Sequence, residues 1–445
     1  MTKGKPTALI IKFMIPLVIG NIFQQLYNMV DTIIVGQQIG VNALAAVGAT
    51  GTIMFLILGF MMGLTSGFTV LPAQRFGAGD IEGLKKSVAN AIKLSAVITI
   101  VITVVSMVAM DRLLKIMNTP EDIFDLSKDY IMVICGGMCF GVLYNLTSGI
   151  LRALGNSKVP LYSLIVSAFL NIALDLLFVV VIPLGVAGAA LATVISQAVA
   201  GLICVIYIVK KLPIIALDKE HWKWDAISVR HQLGIGVPMA LQFSITAVGT
   251  ILVQSALNLL GSVAVAAYTA AVKVSQLAHQ PYAAISMTVA TFSAQNRGIN
   301  DFTRIRRGAV ITNVISTVYS VVVYGALLLT FPYILQLFVN EADYAQIFDY
   351  AQTYIVISGI CFVPLGMIYI FRSVLQSCGY TLMPTMGGVV EMVCRGVVAF
   401  IAVKQSDFVM VCLADGGTWL VTGIFMTLSY LIIFKKNHPK ERVTL

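Results

Sequence analysis

The chain has 445 residues, of which 58% are hydrophobic and 11% are charged, and its mean hydropathy is +0.92. A soluble domain carries about a quarter charged residues, so this composition excludes a soluble globular protein. The formal net charge is +9. The basic residues lie mainly in loops between apolar runs, which does not favour a nucleic-acid-binding surface.

Apolar stretches of about 20 residues or more, enough to cross a bilayer as helices, recur along the whole chain. Each should be α-helical, because a lipid-facing backbone must satisfy its own hydrogen bonds. The chain is therefore predicted to be an all-α polytopic membrane protein embedded in the lipid bilayer. Twelve transmembrane helices are predicted, at residues 10–35, 43–72, 88–110, 129–151, 160–182, 186–209, 232–259, 263–291, 308–330, 350–371, 384–403 and 411–434.

Lys and Arg are distributed unequally between the two sets of loops. With both termini on one side, the loops of that side hold twenty-one basic residues, and the opposite loops hold only Arg112, Lys115, Lys128 and Lys404. Basic loops stay in the cytoplasm, so both termini are predicted to be cytoplasmic. The seven cysteines are scattered and show no disulfide or metal spacing. No cofactor is expected.

The second half of the chain repeats the first. Residues 73–80 (AQRFGAGD) align with 294–301 (AQNRGIND). Six spans per half is an even number, so the halves should insert in the same orientation, related by a pseudo-twofold axis along the membrane normal. We assign 1–217 to an N-lobe and 218–445 to a C-lobe, with the hydrophilic stretch 210–231 between them. Further matches pair Pro16, Gly40, Gly155 and Pro160 with Pro238, Gly261, Gly379 and Pro384.

The first predicted helix has one polar face. Gln24, Asn28 and Asp31 follow helical spacing, and Tyr27 lies beside them. A charge within the membrane costs about 2.5–3.5 kcal/mol on insertion scales, so Asp31 needs a structural or functional reason.

The fifth and sixth helices add polar groups at a matching depth. Asn171 and Asp175 are four residues apart on the fifth helix, and Thr193 lies on the sixth. Asp31, Asp175 and Thr193 should lie roughly 6–11 Å inside the outer ends of their spans, at 1.5 Å per residue. Two carboxylates, an amide and a hydroxyl predict a site for a hard cation or a proton. The alternative is that Asp31 lies at the membrane interface and Asp175 bonds neighbouring helices.

In the C-terminal half, Glu391 and Arg395 are four residues apart on the eleventh helix. They predict either a structural ion pair or a direct role in binding. Lys273 and Gln276 lie on one stripe of the eighth helix, where a ligand contact is possible. Asp415, at the start of the twelfth, is either an interfacial carboxylate or a functional one.

Several segments resemble signatures of the MATE (multidrug and toxic compound extrusion) family. They are residues 25–32 (QLYNMVDT), 43–48 (ALAAVG), 77–80 (GAGD) and 151–156 (LRALGN), and Ala414-Asp415 followed by Trp419. The resemblance implies a V-shaped pair of six-helix lobes around a central cavity. It also implies export of organic cations and other drugs in exchange for H⁺ or Na⁺ across a bacterial plasma membrane.

The resemblance is closer to the DinF-like branch of the family. That branch has a cation site made by an Asp of the first helix, an Asn and an Asp on the fifth, and a Thr eighteen residues later. Asp31, Asn171, Asp175 and Thr193 match this pattern. The NorM-like branch carries acidic residues on the seventh and tenth helices. Those helices have no Asp or Glu here, so a C-lobe sodium site of that type is not expected. The candidate substrate-binding residues are Gln24, Tyr27, Asn28, Gln242, Lys273, Gln276, Glu391 and Arg395.

Two other functions remain open. A flippase for lipid-linked sugar precursors, from the same superfamily, would carry more cationic charge in its cavity than Lys273 and Arg395 supply. An intramembrane enzyme would need a nucleophile–base pair or a metal cluster, and no such spacing is found. We therefore predict a monomeric, non-enzymatic exporter of small molecules, coupled to H⁺ or Na⁺.

Overall fold

The computed structural model describes residues 1–117, 119–336 and 341–437, and within these ranges the chain is helical without any β-strand. Lys440 and Arg442, counted among the predicted cytoplasmic charges, lie outside the described residues. A π-helical segment, Leu176–Val181, continues α7, and two 3₁₀ turns, Pro213–Ile215 and Lys219–Trp222, separate α8 from α9. The α-helices are α1 (Pro6–Gln38), α2 (Val41–Phe68), α3 (Val70–Ala78), α4 (Ile81–Ile116), α5 (Glu121–Gly136), α6 (Met138–Ala153), α7 (Lys158–Asp175), α8 (Gly185–Lys211), α9 (Ala226–Asn258), α10 (Ser262–Gly298), α11 (Phe302–Leu335), α12 (Glu341–Ile360), α13 (Phe362–Ser377), α14 (Leu382–Gln405) and α15 (Phe408–Asn437).

In the described part of the chain, nine helical segments are individually long and apolar enough to cross a membrane, and two bent helix pairs raise the number to eleven. The remaining predicted span falls on α10, which is 37 residues long. Its polar stripe, which includes Lys273 and Gln276, makes it less apolar than the others. All twelve predicted spans coincide with helices, and the prediction of an all-α polytopic membrane protein is confirmed.

The two bends occur at equivalent places in the two halves. α5 meets α6 at 45°, and α12 meets α13 at 49°. The first bend contains Gly137, where an added Cβ would lie only 2.4 Å from a methyl group of Val194 on α8. The missing side chain therefore lets α8 approach the bend closely.

The sequence repeat extends to the backbone and to the helix caps. Asp80 and Asp301 each begin a helix by accepting a hydrogen bond from the backbone N–H three residues later, at 2.9 and 2.8 Å. The residue before each cap has a left-handed backbone, with φ of 74° at Gly79 and 56° at Asn300. Glycine and asparagine tolerate this conformation best, so the same turn is built twice.

Helix bounds in the two halves agree to the residue in the region of the candidate sites. The alignment that pairs Gly155 with Gly379 also pairs both ends of α6 with both ends of α13. It pairs the start of α7 with the start of α14, and the end of α5 with the end of α12. We call this alignment the repeat register. Each residue near the end of α5, or in α6 or α7, therefore has a defined counterpart in the second half.

The chain forms two compact units. Unit 1 comprises Met1–Thr2 and Lys12–Phe243, and unit 2 comprises Lys3–Ile11 and Ser244–Leu445. Both units have a core of aliphatic and aromatic side chains. The lobe boundary predicted at residue 217 concerns the sequence repeat and stays a prediction.

The connection between α8 and α9 is shorter than the predicted linker, because both helices extend into it and leave only residues 212–225. Ile215 is buried in the core of unit 1, and His221 Nε2 lies 3.0 Å from Glu82 Oε2. Lys93 Nζ donates to two carbonyl oxygens of the connection, at 2.9 and 3.0 Å. This hydrophilic segment is therefore packed against α4.

Candidate functional site

Two carboxyl groups from different helices meet inside unit 1. Asp31 comes from the polar face of α1, and Asp175 is the last residue of α7. Asp175 and Asn171 are 0% and 1% exposed, and Oδ1 of Asp31 is also buried. The two carboxyl groups lie close enough to interact electrostatically. The structure thus brings together three of the four predicted cation-binding residues.

The polar atoms of this group have few partners. Both oxygens of Asp175, one of Asp31 and both amide atoms of Asn171 lack a hydrogen-bond donor or acceptor among the described residues. Two ionised carboxylates offer only acceptors, so they can bond to each other only when one of them holds a proton. Within the described residues, no Lys, Arg or His forms an ion pair with Asp31 or Asp175. A buried charge without a partner is costly. A proton or a bound cation would balance the charge of this pair.

Two tyrosines lie within electrostatic range of both carboxylates. Tyr27, on α1, also hydrogen-bonds to the side chain of Gln24, which connects the predicted substrate face to the carboxylate pair. Tyr130, on α5, is 4% exposed. Tyr130 could not be identified from the sequence, because a single aromatic residue in an apolar span gives no polar pattern.

Thr193 lies on α8, which packs against α7. The next residue, Val194, belongs to the same buried cluster as Val35 of α1. The cluster also contains Tyr130. Thr193 therefore lies on a helix that packs beside the carboxylate-bearing α7, and its role as an ion ligand stays a prediction.

Four charged residues inside unit 2 are joined by ion pairs. Arg395 Nη2 lies 3.3 Å from Glu391 Oε1 and 3.1 Å from Asp415 Oδ1. Arg372 Nη2 lies 3.3 Å from Glu391 Oε2. Glu391 and Arg395 are each 6% exposed, and Asp415 is 8% exposed. We call these four residues the unit 2 ion network; it contains two positive and two negative groups.

Hydrogen bonds extend the network to further helices. Tyr268 and Tyr354 donate to Asp415 Oδ2 at 2.7 and 3.2 Å, and Arg395 Nη1 donates to Thr250 Oγ1 at 3.4 Å. Asp415 lies in the second turn of α15 and is buried against α10 and α12, so it is not a solvated interfacial carboxylate. The ion pair predicted between Glu391 and Arg395 is present. Arg372 was missed because it lies at the predicted end of a span.

The remaining candidate substrate residues are divided between the units. In unit 1, Asn28 is exposed on α1 and Gln242 is 7% exposed on α9. In unit 2, Gln276 is exposed on α10, and Lys273 lies three residues earlier. Their roles in binding stay predictions.

Solved membrane transporters have the same fold. A MATE crystal structure in complex with MaL6 matches with a TM-score of 0.92 at 23% identity, over 98% of each chain. The outward-facing conformation of a multidrug resistance MATE family transporter of the MOP superfamily matches with a TM-score of 0.93 at 22% identity, over 99% of this chain and 98% of that one. The fold is thus that of a polytopic membrane transporter.

The MatE family model matches residues 16–177 and 238–401, and the chain belongs to this family. The two matched segments follow the sequence repeat. The probable multidrug resistance protein YoeA of Bacillus subtilis is 30% identical over 385 residues, covering 84% of this chain and 81% of that one. The probable multidrug resistance protein NorM of Thermotoga maritima is 25% identical over 453 residues, covering 98% and 94%. The family resemblance found in the sequence is confirmed.

Proposed function

We propose that this chain is a secondary active multidrug efflux transporter that exports organic cations or other amphipathic compounds by antiport with H⁺ or Na⁺. The names of its relatives support this class of activity. The observation that carries the proposal is the carboxylate pair of Asp31 and Asp175. Asp175 is fully buried and Asp31 is half-buried, and neither forms an ion pair with a cationic side chain among the described residues.

The pair has the chemistry needed to bind and release a coupling ion. A proton between the two carboxyl groups, or a Na⁺ held by them, removes the repulsion between two negative charges. Na⁺ is a hard cation and favours oxygen ligands, and the Asn171 carbonyl and the Thr193 hydroxyl are proposed to complete its site. Moving one charge through 100 mV supplies about 2.3 kcal/mol, which is enough to bias such an exchange strongly.

Binding of the coupling ion is proposed to change substrate binding through α1. Gln24, Tyr27 and Asn28 share the polar side of the helix that carries Asp31. A change in the charge of the pair alters the packing of α1 against α7, and with it the surface that these residues offer. Gln242, Lys273 and Gln276 are retained as candidate contacts. Glu391 and Arg395 form an ion pair with each other, so their proposed effect on the substrate is indirect, through the unit 2 ion network.

Efflux measured in everted membrane vesicles tests the proposal. The probe is ethidium, and a proton gradient and a sodium gradient are imposed separately. The wild-type protein should accumulate ethidium with at least one gradient. Asp31→Asn and Asp175→Asn should bind ethidium in detergent but accumulate no more than vesicles without the protein. If both variants accumulate ethidium at the wild-type rate, the site assignment is wrong.

We further propose that both termini are cytoplasmic, that the bacterial plasma membrane is the location, and that the protein acts as a monomer. The distribution of Lys and Arg supports the orientation. In a background without native cysteines, Trp224→Cys should react with an impermeant maleimide only in everted vesicles. Reaction in intact cells would reverse the orientation. Light scattering of the purified protein checks the monomer.

A further inference from the structure

Unit 2 carries a second pair of buried carboxylates, Glu391 on α14, the counterpart of α7, and Asp415 on α15, which follows α14 as α8 follows α7. In the repeat register, Arg395 of α14 is the counterpart of Asn171 of α7, and Tyr354 of α12 is the counterpart of Tyr130 of α5. The carboxylates themselves are not repeated, because Asp175 corresponds to Ala399. The same framework has acquired a different pair of acidic residues.

Besides the position of the acidic residues, the two sites differ in one buried positive charge. At the position of the neutral Asn171, unit 2 has Arg395, whose Nη2 lies between Glu391 Oε1 at 3.3 Å and Asp415 Oδ1 at 3.1 Å. Space for this side chain comes from α9, where a Cβ added at Gly249 would lie 3.2 Å from Arg395 Cδ. The guanidinium thus lies where an ion bridging the two carboxylates would lie.

The residues around Arg395 also suit a small cation. Without the guanidinium, the oxygens of Glu391 and Asp415 and the hydroxyls of Tyr268 and Tyr354 form an oxygen-rich environment. The network is neutral with Arg395 present and carries one negative charge without it, because Arg372 balances only one carboxylate. A buried negative charge of this kind takes up a cation or a proton. The other titratable groups that face the network are Tyr369, His279, Cys394 and Cys412.

We propose that Arg395 is the built-in cation of unit 2, and that it conceals a second monovalent-cation site formed by Glu391, Asp415, Tyr268 and Tyr354. This inference rests on the proposed ion site of unit 1 for its analogy. Its consequence is that the wild-type chain exchanges ions only at Asp31 and Asp175. In unit 2 the guanidinium of Arg395 always occupies the cation position. Ion stoichiometry is then set by one side chain.

The test counts the cations bound by purified protein. Equilibrium dialysis with ²²Na⁺ is run at neutral pH, and acid–base titration of the same samples gives the protons bound. Arg395→Gln should bind about one more Na⁺ or proton per chain than the wild-type protein, since one buried positive charge has been removed. Arg395→Lys keeps the charge and should bind the wild-type number. Adding Asp415→Asn to Arg395→Gln should abolish the gain.

The site in unit 1 is tested separately. Asp31→Asn alone should lower the wild-type number, and unchanged binding there would overturn the proposed coupling site. The gain from Arg395→Gln should persist in the Asp31→Asn background. If Arg395→Gln gains neither Na⁺ nor protons, the concealed site does not exist. If this variant is too unstable to purify at neutral pH without sodium, high sodium or acid should restore it, and failure to recover under either condition overturns the proposal.

Discussion

Each unit contains a pair of buried or half-buried acidic residues, and one member of each pair lies on an equivalent helix, α7 in unit 1 and α14 in unit 2, but the two units balance these charges differently. In unit 1, Asp31 and Asp175 have oxygens without hydrogen-bond partners. No basic side chain among the described residues forms an ion pair with either of them. In unit 2, Glu391 and Asp415 are bridged by Arg395 and are further bonded. Buried charges that are all paired hold their helices together. Buried carboxylates without a paired cation have a charge that changes with the ion or proton they bind. This difference is the reason that we propose ion coupling in unit 1 and a stabilising role for the charges of unit 2.

The same comparison predicts opposite responses to loss of charge. Neutralising one member of a like-charged pair removes repulsion and leaves folding intact. Removing one member of a closed ion network leaves a buried charge without a partner. The measurements below therefore distinguish transport from stability at each site.

The largest effect is expected for transport in Asp175→Asn. Ethidium accumulation should fall to the level of vesicles without the protein, because the pair can no longer alternate between two charge states. The thermal unfolding temperature should stay the same or rise. Asp129→Asn, which makes the same change at a carboxylate of α5 outside the pair, is the control and should transport normally. Equal loss in both variants would show that the effect is not specific to the pair.

The largest effect on stability is expected for Arg395→Ala. Breaking a buried ion pair on one side costs about 3–5 kcal/mol, and chemical unfolding in detergent measures this cost. Arg75→Ala removes the half-exposed bridge to Asp80, a kind of interaction worth about 0–1 kcal/mol. If the two substitutions cost the same, the unit 2 ion network does not hold its helices together.

A smaller difference should separate the equivalent tyrosines Tyr354 and Tyr130. Tyr354→Phe removes a hydrogen bond to the Asp415 carboxylate, and bonds to charged groups are worth about 1.5–3 kcal/mol. Tyr130→Phe should cost less, because the Tyr130 hydroxyl lies within electrostatic range of Asp31 and Asp175 without a hydrogen bond to either. Unfolding free energies of the two variants check this order, and a larger cost at Tyr130 would contradict it.

The smallest effect concerns Asp225, which lies outside both sites at the start of α9. Hydrogen bonds from the Ser228 hydroxyl and from the backbone N–H groups of Ile227 and Ser228 lower the pKa of Asp225. A lowered pKa stabilises the fold above the unfolded-state pKa, and this contribution is lost as the pH falls through the folded-state value. Asp225→Ala should cost about 1 kcal/mol at neutral pH and nothing in strong acid. Unfolding curves at both pH values measure this, and a cost that persists in acid would contradict the assignment.

Periodicity and repetition in the sequence determined the main features of the fold. Long apolar runs predict helices because a bilayer leaves the backbone no other partners. The spacing of Asn171 and Asp175 also placed them on one face, since residues four apart are neighbours on a helix. The sequence repeat that aligns Asp80 with Asp301 has a structural counterpart, since both residues cap the start of a helix in the same way.

The tertiary structure alone decided which distant residues meet. The approach of Asp31 to Asp175 depends on how α1 packs against α7, and no local pattern encodes a contact between residues so far apart in the chain. Asp415 looked interfacial because it lies near the start of its helix, and only the packing of α10 and α12 against α15 buries it beside Tyr268 and Tyr354. The sequence determined the charges themselves. Their distances determine whether a charge is paired, because electrostatic and hydrogen-bond energies fall steeply with separation.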